Sequence, residues 1–413
     1  VKSNLHVVIV TSELPFPLTA GNRIRTLHLA ARLARRHRVV FLAHRNAEAE
    51  EAVGHLRGLG MESILVDRAV PPKSGPAFYA RLAGNLAARD PYSVAAHASP
   101  ALRRAARDYA SRHDVDLWQA EATAVFGTLD DVGPAPRLVI AHNVESLIWR
   151  RYVETEPSPL RRWYIRAQWR KFERFERRTY AAADRVVAVS EEDGRMIREE
   201  YGGCRVDVVD NGIDRDSFAG LANRGDPRRI LFLGSLDYRP NQDAVAILLD
   251  RIFPAVRARV PDARLILVGR RPPPEMADRV ARADGVELHA DVPDVGPHLT
   301  GSGILAVPLR IGGGSRLKIL EAMAVGLPVI STRVGAEGLD ARDGEHLTIA
   351  DEPEAMAAAL VAAIRDPGPS RAMAEKARKL AWERYDWDVL ADRLEDSWRA
   401  CLDEHARGRG GRP

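Results

Sequence analysis

From Pro308 to Thr332 the chain reads Pro-Leu-Arg-Ile-Gly-Gly-Gly-Ser-Arg-Leu-Lys-Ile-Leu-Glu-Ala-Met-Ala-Val-Gly-Leu-Pro-Val-Ile-Ser-Thr. Gly312, Gly313 and Gly314 leave backbone amides unshielded, and Arg316 and Lys318 follow at once. Free amides at the start of a helix, reinforced by its dipole, hold an anion such as a phosphate. Two cations in a first turn oppose the same dipole by roughly 0.3–1 kcal/mol each, and a bound anion accounts for their presence. Glu321 lies three residues after Lys318 on the same helical face, where a carboxylate accepts from two vicinal hydroxyls such as those of a ribose. An ordinary amphipathic helix with a surface Lys318–Glu321 pair has the same spacing.

The elements that position these groups are legible on either side. The apolar run Ile304–Leu309 predicts a buried strand, and Leu317, Leu320 and Ala324 recur at helical spacing with Ser315 as N-cap. Near the N-terminus, Leu5–Thr11 predicts a strand and Ser12–Gly21 a loop. Ile24, Leu27, Ala31 and Ala34 mark one helix face, and Val39–Ala43 is the next strand. Gly21 stands where that loop enters its helix. Further strands are expected at Ser63–Val66, Val115–Ala120, Leu138–Ala141 and Asp184–Ser190, with Ser190 as a helix cap. Such alternation predicts an α/β fold with mostly parallel, doubly wound sheets, whose ligands sit beyond the carboxyl ends of the strands. His142 occupies that position, directly after Ala141. No complete dinucleotide fingerprint or P-loop lysine motif occurs, so nicotinamide and ATP readings lose support.

The segment Glu321-Ala322-Met323-Ala324, with Gly326, Pro328 and Val329, resembles the donor-binding segment of retaining glycosyltransferases of the GT-B fold, family 4. The Gly-Gly-Gly-Ser-Arg-Leu-Lys form and Val334–Leu339 resemble one branch of that family. The resemblance implies two Rossmann-like doubly wound domains with an interdomain cleft. It makes Glu321 the ribose ligand, and the Gly21 loop, Thr19-Ala20-Gly21-Asn22-Arg23, a cover for the donor diphosphate. It places His142 near the reacting sugar, where it positions donor or acceptor. The family's first motif Glu is Gly313 here, and its Arg and Lys after Gly234 are missing, leaving Arg239 as the one substitute and Arg316 and Lys318 to carry the phosphate charge.

With 413 residues, 46% hydrophobic and 29% charged, the chain suits two soluble domains. The boundaries expected are an acceptor-side domain over 1–215, a linker over 216–227 and a nucleotide-sugar domain over 228–385. A helix over 386–402 then crosses back to the first domain, and 403–413 is a disordered basic tail. No apolar segment reaches the ~18–20 residues of a membrane span, and Leu5–Thr11 is too short for a signal peptide. Two cysteines, Cys204 and Cys401, offer neither a disulfide framework nor metal-ligand spacing, which fits the cytoplasm. The formal charge of +4 is small, but residues 150–180 carry many arginines among aromatics. That stretch reads as a helix with Leu160, Trp163, Ala167 and Phe175 on its core side and solvated arginines opposite. Peripheral contact with the anionic inner face of a membrane is the alternative. No nucleic-acid module is matched.

These features lead to an expected enzyme that moves a sugar from a nucleotide diphosphate to the hydroxyl of a sugar, lipid-linked glycan or small-molecule acceptor, in polysaccharide or glycolipid assembly. The donor is a co-substrate. No acid-rich cation site is present, so no cofactor and no metal are expected, and helix amides, Arg316 and Lys318 stabilise the leaving group. The alternatives are a nucleotide-sugar 2-epimerase of the same fold, a catalytically silent nucleotide-sugar-binding subunit, and a membrane-docking scaffold.

Overall fold

A computed structural model describes residues 2–68, 74–202, 204–311 and 316–410. The chain forms two compact units. One gathers the residues up to Asp210 and again from Asp388, and the other holds the described residues from Asn211 to Trp387.

Among the described residues the first unit holds seven strands, β1 (His6–Val10), β2 (Arg38–His44), β3 (Glu62–Val66), β4 (Leu117–Ala120), β5 (Arg137–Ala141), β6 (Arg185–Ala188) and β7 (Val206–Val208). They lie in the order β3-β2-β1-β4-β5-β6-β7, every pair parallel. A parallel sheet covered on both faces needs continuous apolar strands. Val7, Val8, Ile9 and Val10 of β1 are accordingly buried, as are Leu117 and Trp118 of β4. The helices used below are α1 (Gly21–Leu33), α2 (Pro76–Asn85), α3 (Tyr92–His97), α4 (Pro100–Ala110), α5 (Glu145–Thr155) and α6 (Pro159–Ala182).

Helix α6 is turned from the orientation that its apolar residues predict. Leu160 and Trp163 are 76% and 57% exposed, while Ile165, Gln168, Lys171, Phe172 and Glu176 are buried. The polar members of that buried stripe have fixed partners. Gln168 donates to Asn85 Oδ1 at 3.0 Å and accepts from the Tyr92 amide at 2.9 Å, and Lys171 Nζ donates to the carbonyls of Asn85 and Ala88. A polar group that keeps its hydrogen bonds is buried at little penalty. Hydrophobicity alone therefore picks the wrong face.

Among the described residues the second unit holds β8 (Asp226–Leu233), β9 (Arg264–Gly269), β10 (Val286–Ala290), β11 (Ser302–Val307), β12 (Val329–Ser331) and β13 (Thr348–Ile349), ordered β10-β9-β8-β11-β12-β13 and parallel. The outer strands β10 and β13, both half-buried, carry no long apolar run and were not anticipated. Helices α7 (Arg239–Ile247) and α8 (Leu317–Val325) follow β8 and β11, and α9 runs from Trp387 to Gly410. No described helix is long and apolar enough to cross a membrane.

Two expected boundaries are corrected. The linker expected over 216–227 is tied into the second unit: Asn223 Nδ2 donates to the carbonyls of Leu299 and Ser302 at 2.8 and 2.6 Å, and β8 begins at Asp226. Gly225 permits this, because a Cβ there would lie 2.1 Å from the Ser302 carbonyl oxygen. The tail expected to be disordered from 403 is instead helical to Gly410. Glu404 accepts from Arg185 at 2.5 Å and His405 Nε2 contacts the Pro134 carbonyl at 2.7 Å, so a side chain and a backbone carbonyl of the first unit hold a composition that alone reads as flexible.

Candidate functional site

In both sheets the strand order reverses beside the first strand of the unit, between β1 and β4 and between β8 and β11. Connections diverge at such a point and leave a crevice at the carboxyl edge. The Gly21 loop, Glu121 and α8 follow strands at these two places, and His142 follows β5, one strand further along.

The predicted anion cradle, Gly312, Gly313 and Gly314, and the predicted cap Ser315 lie outside the described residues. Helix α8 begins at Leu317, and Arg316 itself takes the position before it with a left-handed φ of 43°. This corrects the expected first-turn placement of Arg316. Its guanidinium is largely committed: Nη2 donates to the Val334 carbonyl at 2.8 Å and to Glu337 Oε2 at 3.2 Å, and Nε to the Glu337 carbonyl at 3.1 Å.

Lys318 is less encumbered. Its Nζ donates to Asn241 Oδ1 at 3.0 Å and lies 4.8 Å from the centre of the Phe232 ring. Asn241 in turn donates to the Ser235 carbonyl at 2.8 Å, locking the turn after β8. A Cβ at Gly234 would approach Asn241 Nδ2 to 2.7 Å, so the glycine lets that amide close on the turn. Arg239 opens α7 in the same segment.

Burial, aided by the nearby Arg316 charge and opposed by Glu321, pushes the Lys318 ammonium down to about 7. Burial likewise pushes the Glu321 carboxyl up to about 7, with Lys318 opposing. Both side chains are half-buried on one face of α8, and Glu321 makes no hydrogen bond or close ion pair among the described residues. An ammonium whose charge burial disfavours, beside a carboxylate with no donor among the described residues, offers one donor for an anion and one acceptor for hydroxyls.

In the first unit His142 directly follows β5, with Nε2 3.3 Å from Glu121 Oε1. Glu121 directly follows β4, where its amide donates to the Val10 carbonyl at 2.8 Å across the point of reversal. Thr26 Oγ1 donates to Glu121 Oε1 and Gln119 Nε2 to Oε2, each at 2.7 Å. The indole of Trp398 on α9 donates to Gln119 Oε1 at 2.7 Å and so fixes the orientation of that amide. Burial disfavours the charge on Glu121, but His142, Thr26 and Gln119 outweigh it and hold the carboxyl below its ordinary value. Beneath them the fully buried Arg25 donates to the Asp210 carbonyl, and burial pushes its guanidinium down to about 10 against the pull of Glu121 and Asp210.

Helix α5 begins at Glu145, just past His142, and Glu176 of α6 anchors its start. That carboxyl accepts from the Glu145 and Ser146 amides at 2.7 and 3.2 Å and from the Tyr201 hydroxyl at 3.0 Å. Burial raises it to about 7 in spite of these donors. Gly21 is the first residue of α1, and Arg23 draws the preceding loop together through Pro17 and Thr19.

Lys318 and Glu321 are thus together in one unit, while His142 and Gly21 belong to the other. Sequence reasoning gave no role to Glu121, Asn241, Glu337 or Glu176. Glu121 carries the same signal that singles out His142, a polar residue directly after a buried strand. The other three act through contacts distant in sequence, which spacing does not encode.

Two family models match the chain: one described as Glycosyltransferase Family 4 over residues 21–217, and one described as Glycosyl transferases group 1 over residues 227–366. The phosphatidyl-myo-inositol mannosyltransferase of Mycobacterium leprae is 32% identical over 219 residues, 50% of this chain and 57% of that protein. The D-inositol 3-phosphate glycosyltransferase of Rhodococcus jostii is 31% identical over 261 residues, 57% of this chain and 56% of that protein. The matched stretches thus span just over half the length of these relatives. Among solved structures, Anabaena Alr3699/HepE in complex with UDP and glucose superposes with a TM-score of 0.66 at 16% identity, over 95% of this chain and 99% of that one.

Proposed function

Because the chain belongs to the family 4 glycosyltransferases (glycosyl transferases group 1) and has the GT-B fold, we propose that it is a retaining, metal-independent glycosyltransferase moving a sugar from a nucleotide diphosphate to an acceptor hydroxyl. The observation that carries this reading is the Lys318–Glu321 pair, both members pushed to about 7 and Glu321 without a hydrogen-bond partner among the described residues. Neither charge is settled by the protein, and a nucleotide sugar settles both. Its diphosphate favours the ammonium, and its ribose hydroxyls favour the carboxylate.

Departure of the diphosphate builds negative charge, and a cation already in place stabilises it without reorganisation. Lys318 supplies that charge, with the start of α8 and Arg316 behind it. In the first unit His142 positions sugar or acceptor, with its Nε2 3.3 Å from Glu121 Oε1. The names of the relatives support two acceptor kinds, a glycolipid precursor where a phosphatidyl-inositol is specified and a small molecule where an inositol phosphate is. A cytoplasmic enzyme in peripheral contact with the inner face of the membrane is supported by α6. Arg166, Arg170, Arg174 and Arg177 share its exposed face, with Leu160 and Trp163 exposed at its start.

Calorimetric titration with UDP, GDP, dTDP and ADP in the presence of a chelator, followed by turnover with the matching nucleotide sugars, tests this reading. Tight binding of one nucleotide and transfer with retained anomeric configuration are expected. Binding to none of the four, with chelator or with added divalent cation, would overturn the reading, and binding that appears only with the cation would overturn metal independence.

A further inference from the structure

A second cluster of cations, absent from the candidate site, surrounds a cleft of about 640 Å³ in the first unit. That volume falls within the ~300–1,000 Å³ range of small-molecule sites. Its walls come from the turn after β3, from α2 and α3, and from the start of α4, and three arginines line it: Arg68, Arg81 and Arg104. The single acid among the lining residues, Asp67, accepts from Arg45 Nε at 3.0 Å, which offsets its charge.

The walls are braced. Arg68 donates to the Ala96 carbonyl on α3, which ties one guanidinium to the opposite side of the cleft. Behind the α2 wall, Lys171 holds the carbonyls of Asn85 and Ala88 and adds a buried ammonium to the same region. Ser99, another lining residue, caps α4 by accepting from the Leu102 amide at 3.2 Å, so the positive end of an 11-residue helix opens onto the cleft. Guanidinium forks match phosphate oxygens in pairs, and several around one cavity, with no unpaired acid among the described lining residues, select a phosphate group.

We propose that this cleft binds a phosphate-bearing group and, resting on the glycosyltransferase reading, that the group belongs to the acceptor. In the sheet order, β3 and β5 are separated by β2, β1 and β4. Four strand spacings put the cleft roughly 19 Å from His142 along the carboxyl edge. The phosphate held there is therefore separate from the donor diphosphate. An acceptor that fills the cleft and presents a hydroxyl at His142 is longer than a single sugar phosphate. A lipid headgroup and a soluble phosphate ester share this chemistry.

The test titrates inorganic pyrophosphate into the whole chain and into Arg104→Gln, Arg81→Gln/Arg104→Gln and Lys318→Ala. Arg104 is exposed, so its single variant tests the site even if the double variant folds poorly. Pyrophosphate binding is expected to weaken at least tenfold in the arginine variants and to persist in Lys318→Ala, with nucleotide affinity unchanged in the arginine variants. Loss confined to Lys318→Ala, or no arginine dependence, overturns the proposal. Failure of nucleotide binding with arginine-dependent pyrophosphate binding intact overturns the glycosyltransferase reading alone. Sedimentation with phosphatidylcholine vesicles, with and without phosphatidylinositol, separates the two sources. Arginine-dependent capture by the phosphatidylinositol vesicles assigns a lipid phosphate, and pyrophosphate binding without capture assigns a soluble ester.

Discussion

The sharpest consequence of the Lys318–Glu321 pair is a narrow pH window for donor binding. Lys318 binds a diphosphate only when charged, and its charge is lost as pH rises through about 7. Glu321 accepts from ribose hydroxyls best when ionised, and its charge is lost as pH falls through about 7. Nucleotide-sugar affinity is therefore bell-shaped. Near pH 7 about half of each group is charged, whereas at pH 8.5 only about 3% of Lys318 is, so affinity falls about eightfold, roughly 1.3 kcal/mol, and by the same factor at pH 5.5. The ligand for this assay is the intact nucleotide sugar, because a free terminal phosphate titrates near ~6 and would add its own limb. Calorimetry across the window reads the bell directly. Each limb also has a coupled signature. Lys318→Met removes the alkaline limb and, since Lys318 is the charge that draws Glu321 downward, moves the acid limb to higher pH. Glu321→Gln removes the acid limb and moves the alkaline limb to lower pH. An affinity that stays flat from pH 5.5 to 8.5, or limbs that ignore both substitutions, would refute the reasoning.

Two further outcomes concern the first unit. Glu121→Gln forces an amide nitrogen to face either Thr26 or Gln119, both of which now donate to the carboxylate. Stability falls by about 1–3 kcal/mol, and turnover drops on the order of tenfold or more through loss of the His142 orientation while nucleotide affinity holds. Turnover and a pH–rate profile identical to wild type would show that Glu121 serves only the fold. Glu176 keeps its proton to about 7 in the folded chain, against 4.5 ordinarily. The folded state thus holds more protons than the unfolded state within that window, and Glu176 makes stability fall as pH rises through it, by up to about 3 kcal/mol, then stay level above pH 7. Denaturant melts of wild type and Glu176→Gln should diverge only inside this window, and parallel curves would contradict the assignment.

The legible part of this protein is the part in which local sequence and global fold agree. Continuous apolar runs such as Val7–Val10 and Ile304–Val307 can only be buried parallel strands, and the polar residues that end them, His142 among these, follow by position. Failures have a common physical origin. On α6 the sequence places Leu160 and Trp163 inward, and the structure buries Gln168, Lys171 and Glu176, because Asn85, Ala88 and the start of α5 supply the bonds that those groups need. The end of the chain reads as a flexible basic tail until Arg185 and Pro134 provide partners for Glu404 and His405. In each case the deciding contact comes from residues distant in the sequence. Acceptor-side chemistry suffers most from this, since the arginines of the cleft come from a turn and two separate helices.

Satisfaction of hydrogen bonds also ranks the charged residues within the candidate site. Glu121 and Glu321 both stand at points where strand order reverses, but Glu121 already receives two side-chain donors and lies below its ordinary value, whereas Glu321 receives none among the described residues and lies well above it. A buried carboxylate with its donors in place is an orienting group, and one left wanting donors is completed by a ligand. The same comparison separates the two cations. Arg316 spends its donors on Val334 and Glu337, while Lys318 has one side-chain acceptor among the described residues, Asn241, and an ammonium that burial pushes down to about 7. In the proposed reading, the equal weight that the sequence gives Arg316 and Lys318 therefore shifts toward Lys318 as the donor's phosphate contact, since Arg316 is bonded to Val334 and Glu337.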